Sequence, residues 1–97
     1  MTKHSRLIRQ NYAWLTESLD SDSGLLTSLV AKEVLTQREY EKIIFEKDRF
    51  KKNEELLSTI SRKPVEDFDK FIAALNETSQ GHITRKLKET STGMLLS

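Results

Sequence analysis

Between Lys63 and Gly81 the chain reads PVEDFDKFIAALNETSQ, and within it Val65, Phe68, Ile72 and Leu75 fall at i, i+3, i+7 and i+10. That spacing lays an apolar stripe along one side of an α-helix; a strand, whose side chains alternate with a period of two, would scatter it over both faces. Ile8, Tyr12, Leu15 and Leu19 repeat the pattern near the N-terminus and predict a first helix from about Lys3 to Leu19, with Arg6, Arg9, Gln10, Ala13 and Glu17 on the opposite side. Three glycines and one proline leave few turn formers for a fold of many short strands. The expected class is all-α.

Asp20 to Gly24 is a turn-rich break, and either Asp22 or Ser23 is placed to cap a second helix that starts near Gly24 and carries Leu25, Leu26, Leu29 and Val30. Thr36 with Glu39 three residues on is a capping box, so a third helix begins at Gln37 and carries Tyr40, Ile43 and Ile44, with Phe45 on another side. Asp48 caps a fourth helix that reaches about Ser61 through Leu56, Leu57 and Ile60. Pro64 suits the opening of the fifth, where its missing amide hydrogen goes unmissed, and a short sixth helix carries Ile83 and Leu87. Six helices with short connections predict a compact bundle with antiparallel neighbours. Residues 1–90 form the expected domain, and residues 91–97, STGMLLS, the start of a linker or flexible tail, although its Met and Leu residues are equally suited to dock back on the bundle.

Most chemistry is excluded by what the chain lacks. There is no cysteine, hence no disulfide and no thiolate metal site. His4 and His82 lie in different terminal segments without a ligand-spaced partner, so they read as surface or helix-end residues and no metal is expected. No glycine-rich phosphate loop or nucleophile motif occurs, and no catalytic residue or cofactor is expected. The carboxylates at Glu54 and Glu55, and at Glu66, Asp67 and Asp69, read as helix-surface charge, with Glu66 and Asp67 suited to the positive end of the fifth helix. Tyr12 and Trp14 read as core, Trp14 at the flank of its stripe and half available to a partner. With no apolar run of signal-peptide or membrane-span character, the expectation is a soluble, cytoplasmic protein that does not enter a membrane.

Charge is informative through its distribution. Sixteen basic residues nearly balance fifteen acidic ones, and a pI near 8.0 is below the value of about 9 expected of a domain built around phosphates. Along the chain, however, Lys3, Arg6 and Arg9 are the charges up to Leu15, and Glu17, Asp20 and Asp22 follow them. Glu39, Glu41 and Glu46 then stand against Arg38 and Lys42, before a basic cluster of Lys47, Arg49, Lys51 and Lys52. Neighbouring faces of opposite sign point to protein docking. The alternative is a small helical nucleic-acid binder using the basic face of the first helix, against which the near-neutral total and the interleaved acids argue.

Three ordered blocks resemble a caspase recruitment domain, a six-helix member of the death-domain superfamily with its Greek-key arrangement. HSRLIRQNYAWLTESL is similar to the family's first helix, GLLTSLVAKEVLTQREYEKI to its second and third, and DFDKFIAALNETSQGHITRKL to its fifth and sixth. The resemblance implies a non-enzymatic adaptor that binds other domains of its kind, pairwise or in filaments, to assemble or regulate caspase-activating or inflammatory signalling complexes. It also implies a basic face on the first and fourth helices, here Arg6, Arg9, Arg49, Lys51 and Lys52, and an acidic face on the second and third, here Asp20, Asp22, Glu39, Glu41 and Glu46. Tyr12 and Glu54 stand where strongly basic members often have arginine, so the basic surface is diluted, and Lys63-Pro64 replaces the family's usual Gly-Pro.

Overall fold

A computed structural model describes residues 3–22 and 24–96, with side chains as far as Thr90. Among the described residues it has seven helices and no strand: α1 (Lys3–Gln10), α2 (Tyr12–Ser18), α3 (Leu25–Ala31), α4 (Gln37–Phe45), α5 (Arg49–Ser61), α6 (Val65–Glu77) and α7 (Gly81–Leu96). The expected first helix is two helices, because Asn11 breaks it. Its side-chain amide donates to the Leu7 carbonyl at 3.0 Å, the bond its own backbone would make in a continuous helix, while its backbone N–H donates to Ile8 instead. Asparagine competes with helical backbone in this way. Beyond the break Tyr12 leaves the stripe it shares with Ile8 and is 37% exposed.

The boundaries follow local chemistry. Thr36 and Glu39 form the reciprocal capping box at α4, and the Asp48 carboxylate accepts the Phe50 N–H at α5. At α3 the expected cap is absent: Gly24 is the N-cap residue, at φ +93°, where glycine alone meets no Cβ penalty, and no side chain caps it. Asp22 is engaged elsewhere, and Ser23 lies outside the described residues. α3 and α6 end in Schellman turns, with Val34 N–H on the Leu29 carbonyl at 2.9 Å and Gln80 N–H on that of Leu75 at 2.8 Å. Their left-handed residues are Glu33 and Ser79, each at φ +63°. The first of these turns drives Val34 and Leu35 into the core. α7 is longer than the short helix expected and continues through Gly93; the side chains of the STGMLLS segment lie outside the described residues.

α5 is the hub, packed by α1, α2, α4 and α6, while α3 and α7 lie against α6 and α1 touches α7. Leu15, Leu19, Leu25, Leu29, Ile43, Leu56, Leu57, Ile60, Phe71, Leu75 and Ile83 are wholly enclosed. Two expectations fail at the edges of this core. Val65, at the tip of the α6 stripe, is 54% exposed, and Phe71 takes the central place on that helix. His4, expected at the surface, is buried: its ring stacks on Phe68 at 5.2 Å between centroids, and its Nε2 lies 2.7 Å from the Lys63 carbonyl.

Candidate functional site

The ten charged residues assigned to docking faces have unequal surroundings. Arg6 and Arg9 are exposed on α1, and Arg9 borders a shallow groove with Ser5, Tyr12, Ser58 and Ser61 where α1 lies on α5. Lys51 is exposed one turn into α5. Arg49 turns back on the fold: its Nη2 donates to the Glu17 and Leu19 carbonyls at 3.1 and 3.3 Å, at the C-terminal end of α2 where backbone acceptors are free. Lys52 is mostly buried and bridges Asp22 at 2.9 Å. These two residues were assigned to opposite faces, and at this point the expected segregation of charge gives way to a bridge between them.

The acidic set is similarly divided. Asp20 accepts the Asp22 N–H on its carboxylate, while its backbone exchanges two 2.9 Å hydrogen bonds with the Gln80 side chain. Glu39 receives the Lys63 ammonium at 2.8 Å in addition to its capping role. Burial acts to raise the Glu39 pKa, but the hydrogen bond from Lys63 and those from Thr36 outweigh it and hold the carboxyl below the ordinary glutamate range. Glu41 is exposed and accepts from Gln37 at 3.3 Å. Glu46 lies half-buried in a depression that also holds Lys51, Glu54 and Glu55, so basic and acidic residues meet here as well. Tyr12 shares this depression, and its phenol pKa is raised by burial and by the Glu54 carboxylate.

One residue that organises this surface, Asn53, was missed, and the burial of another, His4, was misread. Asn53 is fully buried; its amide donates to the Thr16 and Leu19 carbonyls at 2.9 and 3.0 Å, and its oxygen accepts from the Ser21 hydroxyl at 3.1 Å. It thereby joins α5 to the end of α2 and to the turn that carries Asp20 and Asp22. The signal was its spacing, since Asn53 precedes Leu56, Leu57 and Ile60 by three, four and seven residues and so shares their face. His4 stands in the same relation to Leu7 and Ile8. Trp14 is half-buried against the core, with the Lys86 ammonium 5.9 Å from its ring centroid, which covers part of the face left open to a partner.

Among the described residues, no group of His, Cys, Asp and Glu side chains is placed to hold a metal ion, and no helix is long and apolar enough to cross a membrane. The family model for the caspase recruitment domain matches residues 5–90, nearly the whole chain. The chain belongs to this family. It is therefore a member of the death-domain superfamily, a helical bundle whose relatives bind one another in apoptotic and inflammatory signalling. No solved structure matches the chain. Caspase recruitment domains are interaction modules without catalytic activity of their own, and that class accounts for a surface of charged, shallow features around an apolar core.

Proposed function

We propose that this caspase recruitment domain assembles or regulates caspase-activating or inflammatory complexes in the cytoplasm by docking other domains of its kind through two charged surfaces. Residues 1–90 are the module, with α1 and α2 together filling the place of the family's first helix, and residues 91–97 lead out of it. The basic surface is Arg6, Arg9, Arg49, Lys51 and Lys52; the acidic one is Asp20, Asp22, Glu39, Glu41 and Glu46. The observation that carries the reading is the exposure of Arg6, Arg9 and Lys51 on two helices packed against each other, with no ion pair to any of the three among the described residues. Rigid support keeps the charges in fixed positions, which serves selective docking and electrostatic steering. The Lys52–Asp22 bridge makes that pair a weaker contributor, because a partner's charge must compete with the one already bound.

The test is capture of a partner caspase recruitment domain by the purified chain. Arg9→Glu and Lys51→Glu each reduce capture, and Glu41→Lys reduces it from the other side. Raising the salt weakens it as the Debye length falls from about 10 Å at 0.1 M to about 3 Å at 1 M. Capture untouched by all three substitutions removes these surfaces from the reading.

A further inference from the structure

Leu19 to Asp22 lead out of α2 without belonging to a helix, and a connecting segment of this kind is ordinarily among the mobile parts of a bundle. Here it is tied down from two directions. α5 holds it through Asn53 and through the Lys52–Asp22 bridge. The other ties come from the turn between α6 and α7, sixty residues further along the chain.

Gln80 makes them. Its side-chain oxygen accepts the Asp20 N–H and its side-chain amide donates to the Asp20 carbonyl, both at 2.9 Å, so one glutamine engages both backbone polar groups of one residue. The same amide donates to the Thr78 hydroxyl at 3.1 Å, and that hydroxyl donates to the Ala74 carbonyl at 2.9 Å, at the C-terminal end of α6. Gln80 is only 3% exposed, whereas Asp20 and Asp22 lie exposed. An apolar residue would fill the same enclosed space without desolvating an amide. What the amide adds is direction, because hydrogen bonds to both the N–H and the C=O of Asp20 fix the peptide planes on either side of it. The Asp20 carboxylate then accepts the Asp22 N–H at 3.0 Å, which passes that orientation on to the second acidic residue.

We infer that Gln80 is a positioning residue for the acidic docking surface: buried beneath it, Gln80 sets the backbone of Asp20 and, through it, the placement of both carboxylates. A segment fixed before the encounter loses less conformational entropy on docking than one that must be ordered by it. The inference rests on the docking function proposed above. It adds to that function a residue with no charge, and it makes partner affinity depend on the α6–α7 turn.

Gln80→Met nearly keeps the length of the side chain and removes its hydrogen bonds to Asp20; circular dichroism checks the fold. Backbone amide relaxation measured by NMR is expected to give Ser21 and Asp22 order parameters of about 0.85 in the wild-type chain and below about 0.6 in the variant, with those of Leu56 and Leu57 unchanged. Capture of the partner caspase recruitment domain used in the test above is expected to weaken about tenfold, as the cost of ordering a loosened residue on docking requires. Ile83→Val, which loosens the packing of the same end of α7 without touching the turn, keeps wild-type capture. Asp20→Ala also weakens capture, and adding Gln80→Met to it brings no further loss, because both act through one carboxylate pair. Order parameters below about 0.6 at Ser21 and Asp22 in the wild-type chain overturn the inference without any variant. Losses that multiply in the double variant assign Gln80 to the general stability of the bundle and overturn it as well. Capture indifferent to Asp20→Ala removes the turn from the docking surface, and the inference with it, while Arg9→Glu and Lys51→Glu still test the basic surface. Capture weakened by Asp20→Ala and Glu41→Lys yet untouched by Gln80→Met leaves the proposed function standing while this inference falls.

Discussion

Arg6 and Arg9 on α1 and Arg49 and Lys52 on α5 carry the same formal charge on neighbouring helices, yet the fold uses them differently. The α1 arginines project from an exposed face, whereas Arg49 donates to the carbonyls that close α2, and Lys52 lies mostly buried against Asp22. Proximity to the α2–α3 turn makes the difference, because the end of a helix offers unpaired carbonyls and the turn offers carboxylates. A charge count along the sequence treats these four residues as one patch. In the folded chain, two of them hold the scaffold on which the other two are displayed.

The comparison breaks most visibly at Asn53, the buried anchor of the α5 end. Asn53→Ala strips its partner from the Thr16 carbonyl and from the Ser21 hydroxyl, and is expected to cost about 2–3 kcal/mol in a urea titration. Arg49→Ala comes next, with about 1 kcal/mol lost by the same measurement, as suits charged but solvent-screened hydrogen bonds. A smaller effect concerns Glu39, whose folded-state pKa lies below its unfolded one. Its contribution is complete above the ordinary glutamate range and disappears as pH falls through the lowered folded value, so stability measured against pH should decline less steeply on the acid side in Glu39→Gln. Arg9→Glu sits at the bottom of the stability scale, within about 0.5 kcal/mol of wild type, while reducing partner capture. A stability loss for Arg9→Glu as large as that for Arg49→Ala would erase the distinction between the two helices.

The elements with strong periodicity or chemical punctuation were readable in advance. The Thr36–Glu39 box, the Asp48 cap and the Leu56, Leu57 and Ile60 face each depend on neighbours within one or two turns, and each is present. The break at Asn11 was less legible because one asparagine inside an apolar stripe is a weak local signal, and here its effect is reinforced by a Thr90 hydroxyl from the far end of the chain. Pairings such as Lys52 with Asp22, Lys63 with Glu39 and His4 with Phe68 join residues many turns apart in sequence. No local pattern encodes them. The charged residues of the candidate surfaces could therefore be named from the chain, but the division into those that support the fold and those that remain outward-facing required the packing of α5.

Asn11 also links the two termini. The Thr90 hydroxyl of α7 shares its proton between the Asn11 side-chain oxygen at 3.2 Å and the Lys86 carbonyl at 3.1 Å, while the Asn11 amide holds the Leu7 carbonyl, so the bend near the beginning of the polypeptide is touched by the last helix. Removing residues from Thr90 onward would undo that contact and quicken hydrogen exchange around Leu7 and Tyr12. A side chain at the far edge of the domain thus helps set the curvature of its opening rod.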